Sequence, residues 1–346
     1  MQAHTPVITS SDCEGAGEVF TVSSNASTSP DRKPADGQAA AVEHFFKDPK
    51  YLTVSAQLHL EALAQSVGKV WTLSPTFRAE KSDTPRHLSE FYMLEAEVAF
   101  EWDMNKIMDV VENMLRSVAQ STRARRTVEE LLQIARDKEE ESETSDGQET
   151  AITAEALEQR WDGLLQEEPW PRITYEQAIG AVQLAQQTRW ATFEHEVTYE
   201  TGFQAEHERY LAKAFGLGGP IFVTHYPRHQ KPFYMTPSIT NGKETVECFD
   251  LLVPDLCELA GGSMREHRSK ELIEAMRSRG LLKNTGEQTD ANDISNMQWY
   301  IDLRKYGSVP HGGFGLGFDR LICYLSGVSN IRDVVAFPRW YRRCDA

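Results

Sequence analysis

The sequence has few cysteines, and their arrangement excludes two kinds of small structural site. Five cysteines are spread widely over 346 residues and form no CxxC pair, so neither a disulfide framework nor a zinc knuckle is predicted. An apolar run of the roughly 20 residues that a membrane-spanning helix needs is also missing. Residues 1–20 contain no Lys or Arg, which argues against a secretory signal or a basic transit peptide in this segment.

Positive charge is scarce. Lys and Arg number 36 against 52 Asp and Glu, a net charge of −16, which excludes a general basic coat for nucleic acid or anionic membrane but leaves a local basic groove open. Much of the excess lies between Asp137 and Glu168, where twelve acids face two bases. We therefore expect residues 126–170 to form an acidic, partly disordered surface insertion, and the Ser- and Pro-containing residues 23–50 to form a surface loop region.

Alternating residues predict an antiparallel hairpin that presents charge on one side. In the second strand, residues 91–98, one face carries two acids. Upstream, Thr76, Arg78 and Glu80 share a face of the first strand. The predicted core face of the second strand is Tyr92, Leu94, Ala96 and Val98, and the other face is Phe91, Met93, Glu95 and Glu97.

The charged side of this hairpin suits a nucleotide. The planar guanidinium groups of Arg78 and Arg86 can hold phosphate oxygens in a bidentate manner, and Phe91 can stack on a base. For any single Arg or Glu, a surface ion pair is the simpler interpretation.

Two later segments carry further chemistry. Asp250 and Glu258 are hard oxygen ligands of the kind Mg²⁺ binds together with phosphates, although their spacing alone is not diagnostic. The glycines of residues 312–317 fit neither a dinucleotide fingerprint nor a P-loop. They predict a tight strand-to-helix turn that places Arg320 in the first helical turn, and an ordinary glycine-rich turn with a surface Arg is the alternative.

Taken in order, these segments resemble class II aminoacyl-tRNA synthetases. Residues 77–80 with 86–91 are similar to motif 2 of that family, and residues 313–320 are similar to motif 3. Residues 258–265 resemble the subgroup that handles Asp, Asn and Lys, and residues 10–17 resemble the mobile substrate loop of its asparagine-specific members. The resemblance implies an α+β fold, in which an antiparallel sheet flanked by helices forms one catalytic domain over residues 1–346.

The family roles transfer residue by residue. Arg78 would grip the α-phosphate of ATP and the amino acid carboxylate, Phe91 would stack on adenine, and Asp250 and Glu258 would hold Mg²⁺. The implied catalytic residues are Arg78, Glu258 and Arg320. The implied ATP-binding residues are Arg78, Glu80, Arg86, His87, Phe91, Glu258 and Arg320.

The resemblance also implies which amino acid is bound. Gln57, placed at the end of a strand over residues 53–57, and Glu14 would meet its amino group. Aspartate-specific members carry a lysine where this chain has Leu60, and a buried substrate carboxylate without that cation is costly. An amide fits instead, since Arg265 can donate to its carbonyl and Glu95 can accept from its NH2 group, so asparagine is favoured.

The expected activity is therefore asparagine–tRNA ligation with ATP and Mg²⁺, with tRNA(Asn) as the partner and no membrane association. Family members are homodimers built on a motif 1 helix, of which only residues 4–6 are recognisable, and the preceding anticodon-binding OB-fold barrel is absent from the sequence. The resemblance favours the mitochondrial matrix, with the cytoplasm as the alternative. Two rival hypotheses are an aspartate-using relative and a non-catalytic paralogue that acts as an interaction protein.

Overall fold

The computed structural model describes residues 1–10, 19–24, 45–143, 152–216, 218–282 and 297–345. In this part of the chain the strands are β1 (Ile8–Thr9), β2 (Thr21–Val22), β3 (Lys50–Leu52), β4 (Lys69–Phe77), β5 (Glu90–Ala99), β6 (Arg172–Thr174), β7 (Ile221–Thr224), β8 (Pro237–Thr240), β9 (Lys243–Val246), β10 (Cys248–Val253), β11 (Cys257–Met264) and β12 (His311–Gly317). The helices are α1 (Gln57–Val67), α2 (Met104–Ala124), α3 (Thr127–Glu143), α4 (Ala154–Leu165), α5 (Tyr175–Gln187), α6 (Ala205–Gly216), α7 (Ser269–Ser278), α8 (Gln298–Lys305) and α9 (Phe318–Ser326).

A seven-stranded sheet with the order β4–β5–β12–β11–β10–β7–β6 organises the molecule. Its neighbours pair antiparallel except β6 and β7, which are parallel. Helices cover both faces: Phe222 of β7 packs in a cluster with α2 and α4, whereas Ile221 and Val223 pack in a second cluster with α5 and α6. The predicted α+β fold, an antiparallel sheet flanked by helices, is confirmed.

The β4–β5 hairpin forms as predicted, and Leu94, Ala96 and Val98 pack against the main core as expected, but the end of β4 and the burial of the acidic face differ from the prediction. Strand β4 ends at Phe77, which pairs with Glu90, so Arg78 and Glu80 lie in the loop beyond it. On β5 the acidic face is the more buried one, since Glu95 and Glu97 are 3% and 1% exposed and Tyr92 is 48% exposed. These two acids are buried because they line a pocket, described below, in which other side chains donate hydrogen bonds to them.

Gln57 begins a helix, which corrects the predicted strand over residues 53–57. The buried residues of α1 are Gln57, Leu58, Leu60, Glu61 and Ala64, and this spacing places them on one side of a helix that ends at Gly68 with a φ of +83°. Leu60 packs in an apolar cluster with Ala56, Ala64 and Val70. Its side chain is therefore part of a core and does not line the substrate pocket; the argument from Leu60 against aspartate stays a prediction.

The predicted acidic insertion over residues 126–170 also needs correction. Outside the undescribed residues 144–151, most of it forms α3 and α4. Helix α3 buries Val128 and Leu132 in the main core, and α4 buries Leu157 and Trp161 there. The acids occupy the outer faces, so the high local charge conceals two amphipathic helices.

Strand β12 replaces the predicted glycine-rich turn at residues 312–317, and α9 follows it at once, with Arg320 in its first turn. A carboxylate oxygen of Asp319 accepts a hydrogen bond from the backbone N–H of Tyr92 at 2.8 Å, which fixes the start of α9 beside β5. None of the described helices is both long and apolar enough to cross a membrane.

The packing of α4 predicts a large cost for truncating Trp161, which is 1% exposed. Trp161→Ala should lower the free energy of unfolding by about 3–5 kcal/mol, because it leaves a cavity in the core. Urea denaturation measures the free energy of unfolding of Trp161→Ala and of the control Trp190→Ala, whose indole is 87% exposed. Equal small losses of unfolding free energy in the two variants would instead favour the interpretation of residues 126–170 as a solvated insertion.

Candidate active site

Two adjoining pockets lie at the centre of the sheet and share Arg78, Met93, Glu258 and Gly315. The first pocket is lined by Arg78, Glu80, Arg86, His87, Leu88, Phe91, Met93, Glu258, Leu259, Gly315, Gly317, Asp319, Arg320 and Ile331. The second is lined by Ser55, Gln57, Arg78, Met93, Glu95, Glu97, Lys231, Pro232, Tyr234, Met235, Asp250, Glu258, Gly261, Gly262, Arg265, Phe314 and Gly315. All predicted ATP-binding residues line the first pocket.

The first pocket combines cations with an aromatic face. The guanidinium carbon of Arg78 lies 5.5 Å from the centroid of the Phe91 ring, and an Arg78 nitrogen lies 3.8 Å from a carboxylate oxygen of Glu80. Arg320 donates a hydrogen bond to the backbone carbonyl of Glu258. Guanidinium groups beside an aromatic ring are what a purine with an attached phosphate chain requires.

His87 is held as a neutral side chain in this pocket. Burial lowers its pKa, Arg320 and Arg86 lower it further, and the carboxylate of Glu80 acts in the opposite direction. Its Nδ1 atom lies 3.1 Å from the hydroxyl of Ser82. The imidazole is thus oriented by the loop between β4 and β5 and can hydrogen-bond an anion without adding a fixed charge.

The carboxylates of Asp250 and Glu258 converge over Gly261. A methyl group added at Gly261 would lie 3.0 Å from a Glu258 oxygen and 3.4 Å from an Asp250 oxygen, so both carboxylates lie close against this glycine. Desolvation of its carboxylate group and the neighbouring Asp250 raise the pKa of Glu258, although the residue as a whole is exposed. A hard cation beside Glu258 would relieve that repulsion, and these oxygen donors therefore fit Mg²⁺ shared with a phosphate. No group of three or more potential metal ligands occurs among the described residues.

Lys231 is a site residue that the sequence did not reveal. Its ammonium group lies 2.7 and 3.0 Å from the two carboxylate oxygens of Asp250. Burial disfavours the charged amine, but Asp250 outweighs this effect and the pKa of Lys231 lies above its ordinary value. Lys231 stands in a loop with no motif of its own, and only the fold places it beside β10.

A buried ion pair closes the far end of the second pocket. Arg265 donates from Nε and Nη2 to one oxygen of Glu97, at 3.0 and 2.6 Å, and from Nη1 to the hydroxyl of Ser263 at 2.5 Å. A guanidinium has five N–H donors, so two remain for a ligand. Burial raises the pKa of Glu97, Arg265 opposes this, and the other Glu97 oxygen has no hydrogen-bond partner among the described residues.

Glu95 and Gln57 line the same pocket. The two carboxylate oxygens of Glu95 accept hydrogen bonds from the Ser55 hydroxyl at 2.5 Å and from the backbone N–H of Ala56 at 2.8 Å. The predicted role of Glu95 as an acceptor for the substrate stays a prediction, and Glu97 on the same strand face is the residue that bonds Arg265. Glu14 lies outside the described residues.

The pockets, the sheet that carries them and the ordered motifs together define the class of protein. The family model for tRNA synthetases class II (D, K and N) matches residues 1–341. The chain therefore belongs to this family, as the motifs predicted.

The individual proteins to which the chain is similar include asparagine–tRNA ligases. The chain is 43% identical over 338 residues to the mitochondrial asparagine–tRNA ligase of Saccharomyces cerevisiae, a match that covers 96% of this chain and 62% of the relative. It is 40% identical over 337 residues to the asparagine–tRNA ligase of Microcystis aeruginosa, which covers 97% of this chain and 64% of the relative. The chain thus spans less than two thirds of the length of these relatives.

A solved structure shows the same fold. The asparaginyl-tRNA synthetase of Pyrococcus horikoshii in complex with asparaginyl-adenylate superposes with a TM-score of 0.73 at 31% identity, covering 99% of this chain and 64% of that one.

The central strand pair predicts that Gly313 cannot be replaced. A methyl group at this position would lie 2.2 Å from the backbone oxygen of Ala96 and 2.3 Å from a Glu97 oxygen. Gly313→Ala should therefore destabilise the fold by more than about 2 kcal/mol and displace Glu97. Gly180→Ala is the control, because open space surrounds that glycine of α5. It should raise stability by about 0.5–1 kcal/mol. A similar response of both variants in thermal unfolding would contradict the close approach.

Glu208 of α6 predicts a pH-dependent stability. Burial, with the carboxylates of Glu258 and Asp250, raises its pKa to about 7, so the folded state holds this proton more tightly than the unfolded state does. The resulting stabilisation is complete below the ordinary glutamate pKa and disappears as the pH rises through 7. In EDTA, Glu208→Gln should therefore gain stability over the wild type between pH 5 and 8, by on the order of 1–3 kcal/mol.

Glu176 serves as the control for this titration. Hydrogen bonds from the side chains of Asn241 and Lys243 lower the pKa of Glu176, so its stabilising charge is complete throughout pH 5–8. Glu176→Gln should lose stability by a constant amount over that range. A pH-independent difference for Glu208→Gln as well would show that Glu208 titrates normally.

Proposed function

We propose that this chain is the catalytic part of an asparagine–tRNA ligase, which converts asparagine and ATP to asparaginyl-adenylate and pyrophosphate and then transfers the asparaginyl group to tRNA(Asn). The observation that carries the proposal is that a pocket suited to a nucleotide and a second, polar pocket meet at Arg78 and Glu258. A ligand in each would bring a carboxylate and a phosphate together at that junction.

The first step needs positioning and charge neutralisation rather than covalent work by the protein. The asparagine carboxylate attacks the α-phosphorus, a C–O–P bond forms, the bond from the α-phosphorus to the bridging oxygen breaks, and pyrophosphate leaves with that electron pair. Arg78 at the junction would hold both reacting groups, while Arg86, His87 and Arg320 would hold the phosphate tail. Mg²⁺, when held by Asp250 and Glu258, would supply positive charge to the phosphates.

The second pocket favours an amide over a carboxylate. The free N–H donors of Arg265 can bind the side-chain carbonyl of asparagine, and the carboxylates of Glu95 and Glu97 are suited to accept from its NH2 group. Aspartate would place a third carboxylate beside these two, at a cost in a buried site. The names of the relatives support the same choice, as does the asparaginyl-adenylate bound by the Pyrococcus horikoshii enzyme.

Several wider statements remain predictions. Homodimerisation and mitochondrial localisation rest on the family resemblance, and relatives of comparable identity include a mitochondrial yeast protein and a protein of Microcystis aeruginosa. Transfer to tRNA(Asn) rests on the relatives' names.

Amino-acid-dependent exchange of pyrophosphate into ATP tests the first step, because it requires ATP, Mg²⁺ and both pockets but no tRNA. We expect exchange with asparagine and little with aspartate. Comparable exchange with aspartate would favour the aspartate-using relative. Exchange with neither, from a chain that circular dichroism shows to be folded, would favour the non-catalytic interaction protein.

Arg265→Gln should lower kcat/KM for asparagine in this assay by about 100-fold, because two charged hydrogen bonds to the substrate are lost. Arg268→Gln is the matched control: Arg268 lies three residues further along, and its partly exposed guanidinium bonds the buried Glu266 outside both pockets. An equal loss in both variants would contradict the role of Arg265 in the pocket.

A further inference from the structure

A buried carboxylate lies directly beneath the amino-acid pocket. Glu61 of α1 is completely inaccessible to solvent, and neither sequence motifs nor the proposed chemistry assign it a role. Four donors surround it. The amide nitrogen of Gln57 bonds one Glu61 oxygen at 3.0 Å. The other oxygen is bonded by Tyr300 Oη at 2.7 Å, Arg304 Nη2 at 2.6 Å and His311 Nε2 at 3.1 Å.

The surroundings keep this carboxylate ionised and in place. Burial alone would protonate it, but Arg304 and His311 overcome that effect and lower the pKa of Glu61 far below the ordinary value. Arg304 is itself held, since its Nε donates to the backbone carbonyl of Glu266 at 3.0 Å and its guanidinium lies 3.9 Å from the Tyr300 ring centroid. The acceptor beneath Gln57 is therefore rigid.

An ionised carboxylate can only accept hydrogen bonds. The amide of Gln57 must therefore turn its NH2 group, and not its oxygen, toward Glu61. Its oxygen is then the atom left to the pocket, which Gln57 lines. A carbonyl oxygen attracts a substrate α-ammonium group, whereas the reversed amide would present N–H donors to that cation.

We propose that Glu61 is a positioning residue that locks the Gln57 amide with its oxygen toward the α-ammonium group of the amino acid. This inference rests on the proposed function. Glu61 touches no substrate and acts only through Gln57, one helical turn earlier in α1. The arrangement selects an α-amino acid over an otherwise similar acid that lacks the positive charge.

Glu61→Gln tests the lock, because a glutamine at position 61 can accept from Gln57 or donate to it, and so no longer dictates which end of the Gln57 amide faces the pocket. In pyrophosphate exchange we expect KM for asparagine to rise about 10-fold, with KM for ATP within twofold of the wild type. The inhibition constant of the analogue with a hydroxyl in place of the α-amino group should change little, since a hydroxyl bonds either end of the amide. Selectivity for the ammonium group should thus fall about 10-fold.

Two further variants separate positioning from a general loss of stability. Glu112→Gln neutralises another buried carboxylate, which accepts from Arg116 and from the backbone of Trp170, outside both pockets. It should lower the melting temperature without changing KM for asparagine. The double variant Glu61→Gln with Arg304→Met removes both members of the ion pair, so that the fold is not left with an unpaired Arg304, and should keep the raised KM.

The inference is overturned if Glu61→Gln or the double variant, shown to be folded, retains the wild-type KM for asparagine, or if KM for ATP and the inhibition constant rise in parallel. Wild-type exchange with asparagine is measured in the same series. Its absence would overturn the proposed function, whereas its presence with an unaffected Glu61→Gln variant would overturn only the role of Glu61.

Discussion

The burial of carboxylates in and beneath the second pocket is the constraint on which the site depends. Glu61 and Glu97 are buried, and Asp250 is largely buried, in surroundings where an unpaired charge would cost several kcal/mol. Each has a partner from another part of the chain: Arg304 of α8 for Glu61, Arg265 just beyond β11 for Glu97, and Lys231 of the loop before β8 for Asp250. The pairs bring together elements that are far apart in sequence, which links the integrity of the fold to the shape of the pockets.

The small residues of the central strands follow from the same constraint. Gly313 leaves room for Glu97, and Gly261 leaves room for Asp250 and Glu258. A methyl group at Gly313 would overlap a Glu97 oxygen, and one at Gly261 would lie in tight contact with a Glu258 oxygen. The glycines of residues 312–317, predicted as a tight turn, thus belong to a regular strand, β12, whose lack of side chains admits a charged group from the adjacent strand.

Sequence patterns predicted much of this site but fewer of the buried residues that hold the site in place. The hairpin, the place of Arg320 at the start of a helix and the convergence of the nucleotide-facing residues all follow from local periodicity and motif order. Gln57 was assigned to the pocket correctly but to a strand wrongly, because five residues do not distinguish the start of a helix from a strand. The buried side of α4 was obscured by acids on its outer face. Lys231 had no signal, since its partner Asp250 is a neighbour only in three dimensions, whereas alternation along β5 pointed to Glu97 as much as to Glu95.

Arg78 and Glu258 each belong to both pockets, which gives the site a thermodynamic property that neither pocket has alone. A ligand that changes the charge environment of these two side chains in one pocket alters the affinity of the other pocket for its own ligand. Linkage requires that the effect be reciprocal: the factor by which a bound nucleotide strengthens amino acid binding equals the factor by which the amino acid strengthens nucleotide binding. For the nucleotide and amino acid proposed as ligands, the shared lining therefore links the two binding equilibria within a single chain.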